Sequence, residues 1–506
     1  MDERGTSKHM AVISSTLSVR AMRDMALRAW RSKRVFSITL LVIAVLLGAR
    51  YRFHKLQRWD MNDAEGSTWA AVIAPNVCEV VRTFWQVEFG GKHPAYDLVL
   101  YEWVRAFGAS LLAMRAMSAL LGTIAIVLLF LAVREVSRAL EGEASAEKGE
   151  IAGAFAALIF ALNITLLISS RTAREFSLLI AVELLQIIFF MRAQRRGVFD
   201  DYLGLAIFTA LMLPINYSAS FLLLAEALWL LCLLAAKRTG AARALQLKVF
   251  RPGFAVLAGM SLLIPLLPDA YATSRAGMAW IGAKLIKPEP NSWPYTVLRD
   301  AVGESALFWI VAALIAFGVW RQWRTALLVP GFLAIWTAGP VLAAFAESHI
   351  TRPIEMPRYV IIAFAGLFAF AGFGAACVRS TAIRIILAAL IIAMSMRTAD
   401  RLLKLKVSPN GDWRKAAAVA VKHTSPGEQI AVFAPYDLWV VQFYLPSERR
   451  IAAVQMDSNP IQTKCGTAPV LIFDQHTRAI PPQIAAIKAC YPRVIASLNR
   501  IEVRVR

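Results

Sequence analysis

Residues 112–133 read LAMRAMSALLGTIAIVLLFLAV, and this stretch decides the fold. Beyond Arg115 near its start it carries no charge, and it stops at Arg134 and Glu135. At 1.5 Å per residue such a block crosses roughly 30 Å of hydrocarbon. Similar blocks recur on both sides of it: Val35–Ala49, Ile151–Ser169, Phe176–Met191, Tyr202–Leu213, Tyr217–Ala236, Phe254–Leu267, Ala306–Trp320, Leu327–Ala346, Val360–Val378 and Ile385–Met396. The expected fold is an α-helical multi-pass membrane protein with about eleven transmembrane helices. The Tyr202–Leu213 and Ile385–Met396 blocks are short for full spans.

The charges agree with this reading. The chain of 506 residues is 58% hydrophobic, 18% charged and has a net charge of +21. In a soluble protein that excess would suggest nucleic acid; here it falls between apolar blocks and implies no nucleic-acid partner. Threading the spans alternately puts the N-terminus and segments 134–150, 192–200, 237–251, 321–324 and 379–384 on one side, all rich in Lys or Arg. Basic loops stay cytoplasmic, so the opposite side is periplasmic or extracellular, in a cell inner or plasma membrane. Val35–Gly48 reads as a retained span and not as a removed signal.

The predicted organisation is a basic cytoplasmic N-terminus over residues 1–34, a transmembrane domain over 35–401 with large outer loops at 51–110 and 269–305, and a soluble α/β domain over 402–506 on the outer side. In the first loop Trp69, Val72, Ile73 and Val77 fit one helical face, which would lie along the membrane surface. In the tail, Asp412–His423 and Pro481–Cys490 read as helices, and Gln429–Phe433 and Pro469–Phe473 as buried strands. Cys465 and Cys490 both lie in the tail, and a disulfide between them or two free thiols are both open.

The outer side collects the polar residues that a membrane protein reserves for function. Asp60, Asp63 and Glu65 follow the first span. His93-Pro94 and Tyr96 come next, then Ser170-Arg171-Thr172-Ala173-Arg174-Glu175-Phe176, Asn216-Tyr217 and Arg358-Tyr359. In this order the phrases resemble the GT-C membrane glycosyltransferases, which take a sugar from a polyprenyl-phosphate carrier. Within them the pattern is similar to the protein O-mannosyltransferase and aminoarabinose-transferase group. That group has an acidic pair after the first span, a His-Pro-Pro-Leu-Tyr-Tyr-like stretch, a Gly-x-Ser phrase with a following Arg (here Gly108, Ser110 and Arg115), and a Ser-x-x-x-Arg-x-Tyr phrase. The chain departs from it at the acids, where Ala64 separates Asp63 from Glu65, and at Phe176, which replaces tyrosine.

The resemblance implies a GT-C-type fold and an inverting glycosyltransferase, a hexosyl- or pentosyltransferase. Its donor would be a polyprenyl-phosphate sugar, and its acceptor a hydroxyl of a lipid-linked or envelope glycan, a lipid or a protein. Asp63 or Glu65 would be the catalytic carboxylate, with Asp63 favoured. His93, Arg171, Arg174, Tyr217, Arg358 and Tyr359 would bind substrate. The chemistry of the residues agrees: a carboxylate accepts the acceptor's proton, and arginine forks hold a lipid phosphate. Arginines at helix ends also anchor to headgroups, so that reading stands beside the first. No cofactor is called for; a divalent metal is compatible, but no ligand set is visible. A lipid-linked sugar flippase and a non-catalytic envelope scaffold are the rival functions. The absence of a sequence repeat and the gathering of polar residues at one surface weigh against transport.

Overall fold

The computed structural model describes residues 33–84, 94–262, 305–322, 327–350, 357–404, 410–433, 435–455, 467–474 and 488–506, with residues 264, 297, 299, 301–303 and 485 between them. The membrane part is built from α1 (Lys33–Phe53), α2 (Asp63–Val72), α3 (Val77–Phe84), α4 (Pro94–Phe107), α5 (Leu111–Glu141), α6 (Ala146–Leu162), α7 (Ile164–Ser170), α8 (Phe176–Arg195), α9 (Phe199–Ile215), α10 (Ser220–Arg238), α11 (Ala242–Gln246), α12 (Phe250–Ser261), α13 (Ser305–Gln322), α14 (Leu328–Ile350), α15 (Ile362–Ala376) and α16 (Thr381–Lys404). The tail adds α17 (Trp413–Lys422), β1 (Ile430–Val432), α18 (Pro435–Tyr444), β2 (Ala453–Gln455), β3 (Val470–Asp474), β4 (Arg493–Leu498) and β5 (Ile501–Val505).

Each apolar block read from the sequence is mainly helical over its described residues. Among the described residues six helices are long and apolar enough to cross a membrane, or seven if the bent pair α6–α7 is one span. The chain is thus a multi-pass helical membrane protein, with several shorter apolar helices beside the long ones. The Ile385–Met396 block is no short span: α16 has 24 residues, because polar Arg397, Asp400 and Arg401 continue the helix past the apolar stretch. α6 is the central helix. Its sequence IAGAFAALIFAL is buried all round, and it packs on α1, α5 and α15. Small residues make this possible: Gly372 of α15 lies against the backbone of Ala152 and Ala156, where any side chain would collide. α6 ends at Asn163, where the chain turns by 65° into α7. The Asn163 side chain caps α7 by accepting from Leu166 N at 3.0 Å, and its amide donates to Val302 O at 3.2 Å. Peripheral helices keep apolar stripes outward, such as Val35, Ile38, Val42 and Leu46 on α1 and Leu224, Leu228 and Leu231 on α10. Stripes of this kind suit contact with lipid.

The described part of the loop over 51–110 is helical, but Trp69, Val72, Ile73 and Val77 do not share one helix. α2 stops at Val72 and α3 starts at Val77, since Pro75 cannot continue a helix. Trp69 is buried against Phe443 of the tail and is not at a headgroup position; their ring centroids are 5.4 Å apart, edge to face. The tail forms a five-stranded sheet of order β2-β1-β3-β5-β4, parallel among β2, β1 and β3 and antiparallel through β5 and β4. The apolar runs at β1 and β3 become its buried centre, every residue of both being buried. Cys490 is disulfide-bonded; Cys465, with which the sequence left a disulfide open, lies outside the described residues. Most of the helix expected at Pro481–Cys490 also lies outside them.

Candidate functional site

The site is assembled where the loop after α1, the start of α2, the turn between α7 and α8, and α18 of the tail meet. Asn62 fixes α2. Its side chain accepts from Glu65 N at 2.8 Å, and the Glu65 carboxylate accepts from Asn62 N at 3.2 Å, a reciprocal capping box. This sets the rotation of the first turn. Glu65 points into the protein with no exposed surface, and Asp63 stands outside on the exposed side of the same turn.

Glu65 is fully engaged. Arg115 of α5 grips it in a fork, Nε to Oε1 at 2.8 Å and Nη2 to Oε2 at 2.7 Å, and Oε1 also accepts from Ala173 N at 2.8 Å. Arg115 spends its other N–H groups on the carbonyls of Leu56, Trp59 and Asp60 at 2.7, 2.9 and 3.2 Å. Both side chains are almost wholly excluded from solvent, at 2% and 0%. Such an arrangement ties the acid-bearing loop to the membrane bundle.

Arg171 is also engaged in the protein. Nη1 donates to the carbonyls of Tyr51, Arg52 and His54 at 2.7, 3.1 and 2.8 Å, and Nη2 to that of Lys55 at 3.2 Å. These are the orphan acceptors at the C-terminal end of α1, where the helix dipole is negative. Burial first, then the charges of Arg115 and Arg58, lower its pKa to about 10. Arg171 therefore keeps its charge at neutral pH and serves as the C-terminal cap of α1.

Arg174 is nearer to Asp63. Its Nη1 donates to Ala64 O at 3.4 Å, and the Asp63 charge acts on it, as do those of Glu175 and Asp97. Glu175 accepts from Arg174 Nε at 2.8 Å and Nη2 at 3.2 Å, and from Asn216 Nδ2 at 3.4 Å. The Asn216 side chain caps the short turn Tyr217–Ala219 through Ser218 N at 3.0 Å, which leaves Tyr217 exposed beside it. From the other flank, Ser118 donates to Arg174 O at 3.4 Å and exchanges a hydrogen bond with Tyr96 OH at 3.0 Å.

Arg358 and Tyr359 occupy the turn Pro357–Val360, which packs on α14 and α15. The guanidinium stands over the Tyr359 ring at 5.1 Å and Nη2 donates to Tyr359 Oη at 3.5 Å; among the described residues its buried Nε has no partner. Among the described residues Arg358 forms no ion pair with a carboxylate. His93 lies outside the described residues. Also among the described residues, no group of three or more His, Cys, Asp or Glu side chains is placed to hold a metal ion.

The tail reaches the same loop. Asp60 Oδ2 accepts from Arg414 N at 2.9 Å and so caps α17, while Asp60 O accepts from Asn410 Nδ2 at 2.7 Å. Met61 N donates to Tyr444 OH at 2.8 Å. Burial raises the pKa of Asp60 against the opposing pull of Arg414, and burial with the Asp60 charge pushes Tyr444 up to about 12. Sequence reasoning assigned no role to Glu175, Tyr444 or Asp437. Glu175, lying between two named arginine-phrase residues and a helix start, carried the only local signal.

Together these features define a class: a multi-pass helical membrane protein whose acid-bearing loop helix is clamped between the bundle and a C-terminal α/β unit. Among solved structures, the fold is similar to ArnT from Cupriavidus metallidurans in the apo state, with a TM-score of 0.55 and 12% identity, over 95% of this chain and 98% of that one. ArnT bound to undecaprenyl phosphate matches at 0.54 and 14%, over 93% and 97%. The oligosaccharyltransferase of Archaeoglobus fulgidus tethered with an acceptor peptide matches at 0.53 and 14%, over 88% of this chain and 70% of that one. At such identities the likeness is one of fold. No family model and no curated protein matches the sequence.

Proposed function

We propose that the chain is an inverting glycosyltransferase that moves a monosaccharide from a polyprenyl-phosphate donor to a hydroxyl of an envelope glycan, lipid or protein, on the outer face of the plasma membrane. The observation that carries this reading is the split of the two acids. Glu65 is consumed by Arg115, while Asp63 stands exposed on the opposite side of the same turn, with Arg174 beside it. The fold supports it, since ArnT of the same fold was solved with undecaprenyl phosphate.

In this mechanism Asp63 accepts the proton of the acceptor hydroxyl. The acceptor oxygen bonds to the anomeric carbon from the face opposite the phosphate. The bond from that carbon to the phosphate oxygen breaks, and the lipid phosphate leaves with the electron pair. Its charge needs cationic donors with free capacity. Among the described residues Arg358 pairs with no carboxylate and its Nη2 donates only to Tyr359 Oη at 3.5 Å, and Arg174 provides a second positive centre. Arg171, whose terminal nitrogens are taken by four carbonyls, acts as a structural cap instead.

The test is sugar release or transfer from a panel of radiolabelled polyprenyl-phosphate sugars by purified protein, with Asp63→Asn beside wild type. Loss of at least about a hundredfold in turnover, with the melting temperature unchanged, is expected from removal of a general base. Retained turnover in Asp63→Asn would remove Asp63 from the mechanism.

A further inference from the structure

α2 and α18 pack side by side in a readable register. Gly66 of α2 lies against α18 so closely that a Cβ there would sit 3.0 Å from Val440 N. One turn on, Trp69 meets Phe443. Residue 66 therefore pairs with 440 and 69 with 443, so the two helices run in the same direction. One turn back, the same step pairs 63 with 437. Both positions are aspartates in the first turn of their helices. The charge of Asp63 acts on Asp437, as this register requires.

Asp437 is only 6% exposed, and among the described residues it makes no hydrogen bond or ion pair. Nearby Asp474 is held by Arg500 at 2.8 Å. A buried carboxyl left without a partner is costly unless it is protonated or a ligand completes it. Burial, then Asp474 and Asp63, push the Asp437 carboxyl well above the usual carboxylate range. Burial thus biases Asp437 toward its protonated, hydrogen-bond-donating form, while its exposed neighbour Asp63 is the proton acceptor in the mechanism above. Two carboxyl groups placed together in different environments are suited to different roles.

We propose that Asp437 is a second carboxyl of the site, supplied by the C-terminal unit, and that it hydrogen-bonds a saccharide hydroxyl brought alongside Asp63. The proposal rests on the glycosyltransferase reading. The hydroxyl could belong to the donor sugar or to the acceptor, and the experiment separates them.

Full-length protein in nanodiscs would be given undecaprenyl phosphate alone, or undecaprenyl phosphate carrying glucose, mannose or arabinose, with and without hexyl glucoside as acceptor. Asp437→Asn is compared with wild type and with Asp63→Asn. If the donor sugar is the ligand, Asp437→Asn weakens binding of a sugar-bearing lipid by about tenfold and leaves the sugar-free lipid phosphate unchanged. If the acceptor is the ligand, donor binding and hydrolysis stay at the wild-type level and transfer falls by about tenfold. Wild-type behaviour of Asp437→Asn in every arm, or equal weakening of the sugar-free lipid, overturns the assignment while the proposed function stands on the Asp63→Asn result. A wild-type protein that neither binds nor turns over any donor overturns both.

Discussion

Glu65→Gln is the perturbation that best separates structure from chemistry at this site. Glu65 and Arg115 form a two-point ion pair that is 0% and 2% exposed. The neutral amide keeps one accepting oxygen but turns its NH₂ toward a donor, and the Arg115 charge is left buried without a counter-ion. Three backbone carbonyls still accept from Arg115, which moderates the loss. Removing one partner of a buried pair costs about 3–5 kcal/mol, and the retained carbonyl contacts place this variant near about 3 kcal/mol. That is a factor of roughly a hundred in a folding equilibrium. Thermal unfolding followed by tryptophan fluorescence should therefore show a midpoint several degrees lower, read as an apparent value because such unfolding is rarely reversible. Arg115→Met should be at least as damaging, and the double variant Glu65→Leu with Arg115→Met should recover part of the loss, since no charge remains unpaired. The reasoning is refuted if Glu65→Gln melts with wild type yet loses donor turnover. Glu65 would then be a reacting group and not a clamp.

Other outcomes follow from the same contacts. Arg171→Ala removes the cap from four carbonyls at the end of α1 and should cost about 2–3 kcal/mol, with Arg171→Lys intermediate; melting in detergent measures both. Gly66→Val drives a side chain into the Val440 backbone, so the tail should separate from α2, and limited proteolysis should release fragments beginning near residue 405 faster than in wild type. The raised carboxyl at Asp437 gives a pH dependence of known sign. Its stabilising contribution is complete below the ordinary carboxylate range and is lost as pH rises through its elevated folded value. Melting temperature should thus fall less steeply with rising pH in Asp437→Asn than in wild type; parallel curves would show that Asp437 is not held protonated.

The membrane architecture was legible because it is written locally. A block of apolar residues long enough to span hydrocarbon must be helical wherever it sits, since lipid offers its backbone no other partner. The buried strands at Ile430–Val432 and Val470–Asp474 were legible for a similar reason. The helix Pro435–Tyr444 was not, because its aromatic and β-branched residues suit a strand as well and only packing on α2 decides the matter.

At the site, the sequence placed Asp63 and Glu65 in one outer loop and the arginines on the same side, but it could not divide their labour. Residues two apart on a helix point to nearly opposite faces. Once Asn62 caps the helix, one acid must turn inward and the other outward, and which one is buried depends on where Arg115 arrives from a helix some fifty residues later. Likewise the phrase Ser170–Phe176 shows two equivalent arginines, yet Arg171 meets the end of α1 and Arg174 meets Glu175. Asp437 had no signal at all in its own neighbourhood, and only the register between two helices far apart in the chain sets it beside Asp63. Hydrophobic length is a property of a segment, whereas the role of a charge is set by the partner that the fold brings to it.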